Sequence, residues 1–243
     1  MPEPLYLSRA RLRSDAPISA LHRVLTPSDD GQRMSVGHKL VWTLFGDARD
    51  RTRDFLWREA EPGLFYTLSH RPPEDRHGMF ELAEPKPFAP RLSPGDRLTF
   101  ALRANATTAK KMTGKDRGQP CDVVMNALFE LPREQRAAAR PSIAECTGTE
   151  WLVRQGERHG FRLVGEALAN DKVPGGAPSV VTGYRTLRLD RGRGAEARIG
   201  VIDFAGTLEV TDPTLFVEGI GHGLGRSKAF GCGLMLIRRA AER

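Results

Sequence analysis

The sequence predicts an α+β fold in which one order of elements, strand–helix–strand–strand–helix–strand, is used twice. Three observations carry this. Leu98, Phe100 and Leu102 alternate along Arg97–Arg103 with the period of a half-buried strand. Leu40, Val41, Leu44 and Phe45 recur at helical spacing. The second half of the chain repeats that order of strand and helix signals at low sequence similarity.

Taken in order, Leu5–Leu12 reads as a first strand, with leucines at 5 and 7 set against polar neighbours. Residues 13–34 are polar and turn-rich, ending in Asp29-Asp30-Gly31, and read as a loop. Ser35 is a fair N-cap for a helix through Phe45, which puts His38 in the first turn; the helix dipole there disfavours a further positive charge and favours neutral imidazole. Asp54–Glu59, the Glu61-Pro62-Gly63 turn and Leu64–Leu68 form a hairpin. Residues 70–96 are proline-rich and aperiodic, so the second helix is short or missing, and Arg97–Arg103 closes the first unit as its fourth strand. Residues 120–148 carry little periodic signal. Beyond them, Thr149–Arg158 reads as a helix and Phe161–Val164 as a strand; Asp171–Pro178 is a loop. Val180–Leu189 and Ala197–Val210 are long strands joined at the basic tip Arg191-Gly192-Arg193-Gly194. Asp212 caps a short helix that runs to Glu218 with Pro213 at its first position, and Leu234–Arg238 is the last strand. The boundary falls near residue 119, giving domains 1–119 and 120–243. The order matches the ferredoxin-like pattern shared with RNA-recognition modules: an antiparallel sheet with helices on one face.

Lysine and arginine total 37 against 30 acidic residues, a net charge of +7 that points to phosphate-bearing partners, nucleic acid before membrane. Cys121, Cys146 and Cys232 are too few and too scattered for a disulfide framework or a zinc site, which favours the cytosol. No apolar run reaches membrane-spanning length, and Met1-Pro2-Glu3-Pro4 does not resemble a signal peptide. The expectation is a cytoplasmic protein without a metal or other cofactor.

Two stretches carry cations into backbone suited to phosphate. In Gly219–Leu234, glycines that include Gly223 and Gly225 free the backbone, and Arg226, Ser227 and Lys228 set two cations and a hydroxyl among exposed N–H groups, a concavity for an anion. The G-x-x-x-x-G-K-[ST] spacing of a nucleotide-binding loop is absent. Lys110, Lys111, Lys115 and Arg117 form a basic loop after the strand that ends near Arg103 and Asn105. Charge runs of this kind are usually solvated faces, and glycine-rich turns are usually only turns.

Four features in order resemble the CRISPR-associated endoribonucleases of type I-E Cascade systems, the CasE family of the RAMP superfamily. They are His38-Lys39-Leu40-Val41-Trp42-Thr43-Leu44-Phe45 followed by Phe55-Leu56-Trp57; Lys86-Pro87-Phe88 through Leu98–Asn105; Thr113-Gly114-Lys115 before Glu150-Trp151-Leu152; and Gly223–Leu234, the most specific. The resemblance implies tandem ferredoxin-like domains, a precursor CRISPR RNA hairpin as substrate and other Cascade subunits as partners. It implies metal-independent attack of a 2′-hydroxyl on the adjacent phosphate, leaving a 2′,3′-cyclic phosphate and a 5′-hydroxyl. The family's catalytic histidine opens its first helix. His22 and His38 compete for that role; His38 stands at the family-like distance before Phe55-Leu56-Trp57, whereas His22 would need a long insertion. Lys39 is a candidate for holding the scissile phosphate. Arg103, Asn105, Lys110, Lys111, Lys115, Arg117, Arg191, Arg193, Gly223, Gly225, Arg226, Ser227 and Lys228 are candidate RNA contacts. Two departures stand out: Ser35 where some members have tyrosine, and Gly37 where a larger apolar residue is usual. The alternative of another class is a non-catalytic RNA-binding subunit of the same architecture. A metabolic enzyme with a phosphate-binding glycine loop lacks any supporting nucleophile, metal or dinucleotide motif.

Overall fold

A computed structural model describes residues 4–15, 18, 21–46, 52–110, 118–165, 178–190 and 196–240. In chain order the strands and helices are β1 (Tyr6–Leu12), α1 (His22–Leu25), α2 (Asp30–Thr43), β2 (Phe55–Glu61), β3 (Leu64–Ser69), β4 (Phe80–Leu82), β5 (Lys86–Pro87), β6 (Arg97–Ala104), β7 (Thr107–Lys110) and β8 (Gln119–Asp122). They continue with α3 (Val123–Leu128), α4 (Arg136–Arg158), β9 (Phe161–Val164), β10 (Val181–Asp190), β11 (Glu196–Val210), α5 (Pro213–His222) and β12 (Met235–Arg239). The loop 111–117, most of Asp171–Pro178 and the tip 191–195 lie outside the described residues, and with them Lys111, Lys115, Arg117, Arg191 and Arg193.

The chain forms two compact units, neither contiguous: residues 1–90 with 187–198 and 227–234, and residues 91–186 with 199–226 and 235–243. In the first unit the strand order is β2-β3-β1-β4, with β5 also on β1. In the second it is β10-β11-β6-β12, with β9 on β11. Counted along each path, with β5, β7, β8 and β9 left aside, each order is second, third, first, fourth, so each sheet has the ferredoxin-like arrangement and the fold class is the expected one. The register is antiparallel on both sides of β1 (Ala10 opposite Phe65 and Leu82) and of β6 (Leu102 opposite Phe204 and Met235).

The strand Arg97–Ala104 is therefore not the fourth strand of the first unit. It opens the second, as a central strand, and the fourth strand of the first sheet is the short Phe80–Leu82. The single cut drawn near residue 119 does not match these discontinuous units. Proline density hid β4, and a strongly alternating strand nearby took its place in the sequence reading.

In the first unit α2 lays Leu40, Val41, Leu44 and Phe45 against Ala10, Leu12, Phe55, Trp57, Phe65 and Phe80. The buried face of β1 is Ser8, Ala10 and Leu12, while Leu7 is half-buried on the other side. The helix begins well before Ser35: Asp29 accepts from the Gln32 N–H at 2.8 Å and caps it. Asp29-Asp30-Gly31 looked like a turn, but Gly31 is helical, and a Cβ there would lie 2.1 Å from the Arg188 carbonyl oxygen. Ser35 is interior and donates to the Gly31 carbonyl at 3.0 Å.

In the second unit Leu98, Phe100, Leu102 and Ala104 of β6 are buried as the alternation requires. Trp151 of α4 stacks on Phe204 of β11 with ring centroids 5.9 Å apart. The hard-to-read stretch 120–148 holds β8, α3 and the first half of α4, a helix of 23 residues. It lacks a strong apolar stripe because it packs through small residues, Ala144, Gly148 and Thr149, and it contains Pro141. Asp212 caps α5 and Pro213 leads it as expected, with Asp212 accepting from Thr214 N–H at 2.9 Å and Leu215 N–H at 3.0 Å. The helix runs one turn past Glu218, so Gly219 and Gly221 are helical and the loop starts at Gly223, φ +76°.

Candidate active site

His38 lies in the third turn of α2, not the first. Its ring packs at 5.5 Å, centroid to centroid, against Phe230 and edge-on at 6.3 Å against Trp42. Phe230 ends a short 3₁₀ turn, Lys228–Phe230, flanked by two left-handed residues, Ser227 (φ +55°) and Gly231 (φ +74°). Ser227 is the one non-glycine residue of positive φ among the described residues. Such a backbone persists only when neighbours hold it.

Trp57 is the holder. Its indole Nε1 donates to the Ala229 carbonyl at 3.0 Å. Its ring occupies the space where Cβ atoms on Gly37 and Gly231 would come within 2.8 and 3.0 Å. The helix and the loop thus approach one indole from two sides, each by way of a glycine. Gly37, a departure from the family pattern in sequence, has here a packing reason.

The imidazole of His38 is half-buried, and burial is the first cause that lowers its pKa below the usual value. The Ala229 carbonyl works the other way, and the positive charges of Arg53 and Lys39 lower it further. Neutral imidazole is favoured, as the sequence suggested, but through burial and neighbouring cations instead of a helix N-terminus. Lys39 is exposed. Lys228 is also shifted down, by burial first and Arg53 second. Arg53 itself is half-buried, and its Nη1 donates to the Phe55 carbonyl at 3.1 Å. Sequence reading missed Arg53, since nothing local distinguishes it from the other arginines of 49–58. The competitor His22 sits on α1 with its Nδ1 at 3.0 Å from the Thr26 hydroxyl, in an exposed setting.

The candidate RNA contacts of the second unit differ among themselves. Arg103 is in an ion pair with Asp203, Nε to Oδ1 at 2.7 Å. Asn105 is buried; its Nδ2 donates to the Gly200 carbonyl at 2.7 Å, and its own carbonyl accepts from the Arg226 N–H at 3.2 Å. Asn105 therefore fixes backbone, while the Arg226 side chain is exposed. Gly225 (φ +81°) lies against the Asn105 carbonyl and the Trp151 ring. Gly225 and Arg226 border a cavity of about 340 Å³ with Thr107, Thr108, Trp151 and Gln155. Lys110 is exposed and donates to Asn126 Oδ1 at 3.2 Å. Among the described residues, no group of three or more His, Cys, Asp and Glu side chains could hold a metal ion, and no helix is long and apolar enough to cross a membrane.

Residues 5–239 match a family model described as CRISPR associated protein. Over 240 residues the chain is 31% identical to the CRISPR-associated endoribonuclease Cse3 of Thermus thermophilus, spanning 95% of this chain and 94% of that protein. The fold is similar to that of Thermus thermophilus Cse3 bound to an RNA representing a pre-cleavage complex, with a TM-score of 0.61 and 22% identity over 97% of this chain and 99% of that one. It is also similar to a chain of a CRISPR RNA-guided surveillance complex in a pre-nicking state, with a TM-score of 0.56 and 17% identity over 97% and 100% of the two chains.

Proposed function

The chain belongs to the CRISPR-associated protein family matched over residues 5–239, and from that premise we propose that it is an endoribonuclease that processes precursor CRISPR RNA and serves as a Cascade subunit. The substrate is the repeat hairpin. The observation that carries this reading is the setting of His38: a half-buried imidazole, tilted neutral by burial and by Arg53 and Lys39, held under Phe230 by a strained loop. The name of the 31% identical relative supports the reaction class, and the surveillance-complex chain of similar fold supports the assembly.

The 2′-oxygen upstream of the cut attacks the adjacent phosphorus, and the bond from phosphorus to the 5′-oxygen breaks. The products are a 2′,3′-cyclic phosphate and a 5′-hydroxyl. His38 moves a proton in this exchange and Lys39 meets the scissile phosphate. Positioning the nucleophile in line supplies much of the acceleration, with proton transfer adding typically about 10²–10⁴-fold. The reaction runs without a metal. The hairpin is gripped through its phosphates by Lys110, Lys111, Lys115, Arg117, Arg191, Arg193 and the Gly223–Lys228 stretch. An A-form stem offers proteins its backbone and 2′-hydroxyls more than its deep major groove.

The test is cleavage of a labelled repeat hairpin in chelator, with and without a 2′-deoxy substitution just upstream of the cut. Cleavage of the all-ribose strand alone, ending in a cyclic phosphate, is expected. Cutting of the deoxy strand would rule out the 2′-hydroxyl as nucleophile, loss of cutting in chelator would rule out a metal-free reaction, and tight binding without cutting would leave the non-catalytic RNA-binding subunit.

A further inference from the structure

We propose that Arg53 is a further catalytic residue: its guanidinium contacts a non-bridging oxygen of the scissile phosphate and meets the charge that develops there. This rests on the reading of the His38 site as an RNA-cleaving centre. Arg53 lies two residues before β2, in a segment already tied to that centre. One arm of its fork is spent on the Phe55 carbonyl at 3.1 Å. The Phe55 ring meets Trp42 edge-on at 5.2 Å, and Trp42 meets His38 edge-on at 6.3 Å. The backbone bond gives the guanidinium a fixed base and leaves its other N–H donors available to a planar pair of oxygens.

The charges around it are the second ground. The adjacent carboxylate, Asp54, is engaged by Arg71 at 2.9 Å, and Arg53 has no ion pair among the described residues. Among the described residues its electrostatic neighbours are instead His38 and Lys228, and the sign of each interaction is repulsive. The charged groups acting on His38 are Arg53 and Lys39, with the Ala229 carbonyl opposing them. A half-buried arginine facing other cations is costly in an empty site. A phosphate brought among these groups reverses the sign of every one of those interactions. The step balances without any proton from Arg53: the 2′-O–P bond forms as the 2′-hydroxyl gives up its proton, the P–O5′ bond breaks as the 5′-oxygen takes one up, His38 makes one of these transfers and water the other, and the arginine stays charged throughout.

The experiment compares wild type, R53Q and R53K in single-turnover cleavage of the cognate repeat hairpin across pH, together with hairpin affinity and an NMR titration of His38 in RNA-free protein. R53Q is expected to slow cleavage by about 10²–10³-fold, the cost typical of losing one preorganised donor to developing charge, with affinity changed only a few-fold. R53K is expected to recover part of the rate. Removing the positive charge raises the His38 pKa, so in R53Q both the His38 titration and the histidine limb of the rate profile move to higher pH; an unmoved titration would show that the guanidinium does not face His38, and contact with the phosphate is read from the phosphorothioate. A phosphorothioate at the non-bridging oxygen is expected to slow wild type more than R53Q. R53Q cutting at the wild-type rate overturns the role of Arg53 alone. A wild-type protein that binds the hairpin and never cuts overturns the nuclease reading, and with it this role.

Discussion

The two units share a strand order, and in both there are arginines answered by carboxylates, as Arg71 by Asp54 and Arg33 by Asp30 in the first; the surroundings of His38 differ. In the second, arginines that project from the sheet are answered by carboxylates: Asp203 takes Arg103 at 2.7 Å and Arg185 at 2.9 Å, and Glu209 takes Arg162 at 2.7 Å and Arg97 at 3.8 Å. In the first, the surroundings of His38 gather positive charge: Arg53 and Lys39 both act on it, and Arg53 acts on Lys228. The same residue type thus serves two ends on one topology. A cation with a carboxylate at its side knits a sheet edge, whereas under the proposed function a cation facing other cations is placed for an anion that comes from outside. Counting arginines does not find the site; asking what each is paired with does.

The comparison breaks most visibly at His38. His38→Ala is expected to lose cleavage by about 10²–10⁴-fold, the usual share of a proton-transfer group, while hairpin affinity persists and His22→Ala cuts normally. Single-turnover rates of the three proteins decide it, and loss of activity in His22→Ala alone would move the site to α1.

Next in size is the packing that holds Phe230 on His38. Gly37→Ala drives a methyl into the Trp57 ring, 2.8 Å away, and overpacking of this kind costs about 1–3 kcal/mol. Trp57→Phe removes only the bond to Ala229 and some area, at about 1 kcal/mol for the hydrogen bond. Denaturant unfolding measures both. Cleavage in each variant is expected to fall more than stability alone explains, because the loop carrying Phe230 loses its anchor.

The pH dependence is a smaller effect with a defined sign. The His38 pKa is lowered by burial, Arg53 and Lys39, so neutral imidazole persists below the ordinary histidine value of about 6.5. The histidine limb of kcat/KM, which reports the free protein, is therefore expected below that value. The limb of kcat, with the phosphodiester anion among the cations, is expected higher. Coincident limbs would mean that no anion enters this cluster.

Smallest is the salt response. Lys228→Ala, Lys110→Ala or Arg226→Ala is expected to reduce the slope of log affinity against log salt by about one each. Arg103→Ala is expected to leave the slope nearly unchanged, since Asp203 already neutralises that charge. A full unit lost in Arg103→Ala would show that the RNA displaces the carboxylate, and would weaken the contrast between the units.

Much of this was legible in the sequence where a periodic signal was local. The alternation of β6, the hairpin of β2 and β3, and the Asp212-Pro213 start of α5 are properties of a few adjacent residues. Sheet membership was not legible. Arg97–Ala104 reads as a strand in any context, and its neighbours β11 and β12 are a hundred or more positions away, Arg103 pairing with Asp203 across 100 residues. The start of α2 was misread because Gly31 is there for close approach to Arg188, which looks identical in sequence to a turn glycine. His38 could be singled out because its sequence context resembles a family. Arg53 could not, because its distinction lies in having no carboxylate partner among the described residues, which only the folded chain reveals.

The hydrogen bond from Trp57 to Ala229 spans 172 residues. That separation bears on the time during synthesis when the protein can first act. A growing chain emerges from the ribosome in order, and α2 with β1 to β4 can collapse around Leu40, Val41 and Phe65 long before residues 227–234 exist. Until that late segment arrives, Trp57 lacks its acceptor, His38 has no Phe230 across from it, and Lys228 is missing from the cluster. The apolar cluster of the first unit is then complete while the surroundings of His38 are not. The ribosome-bound intermediate therefore carries His38 without Phe230 and Lys228 beside it, and the two arrive only when nearly the whole chain has been made.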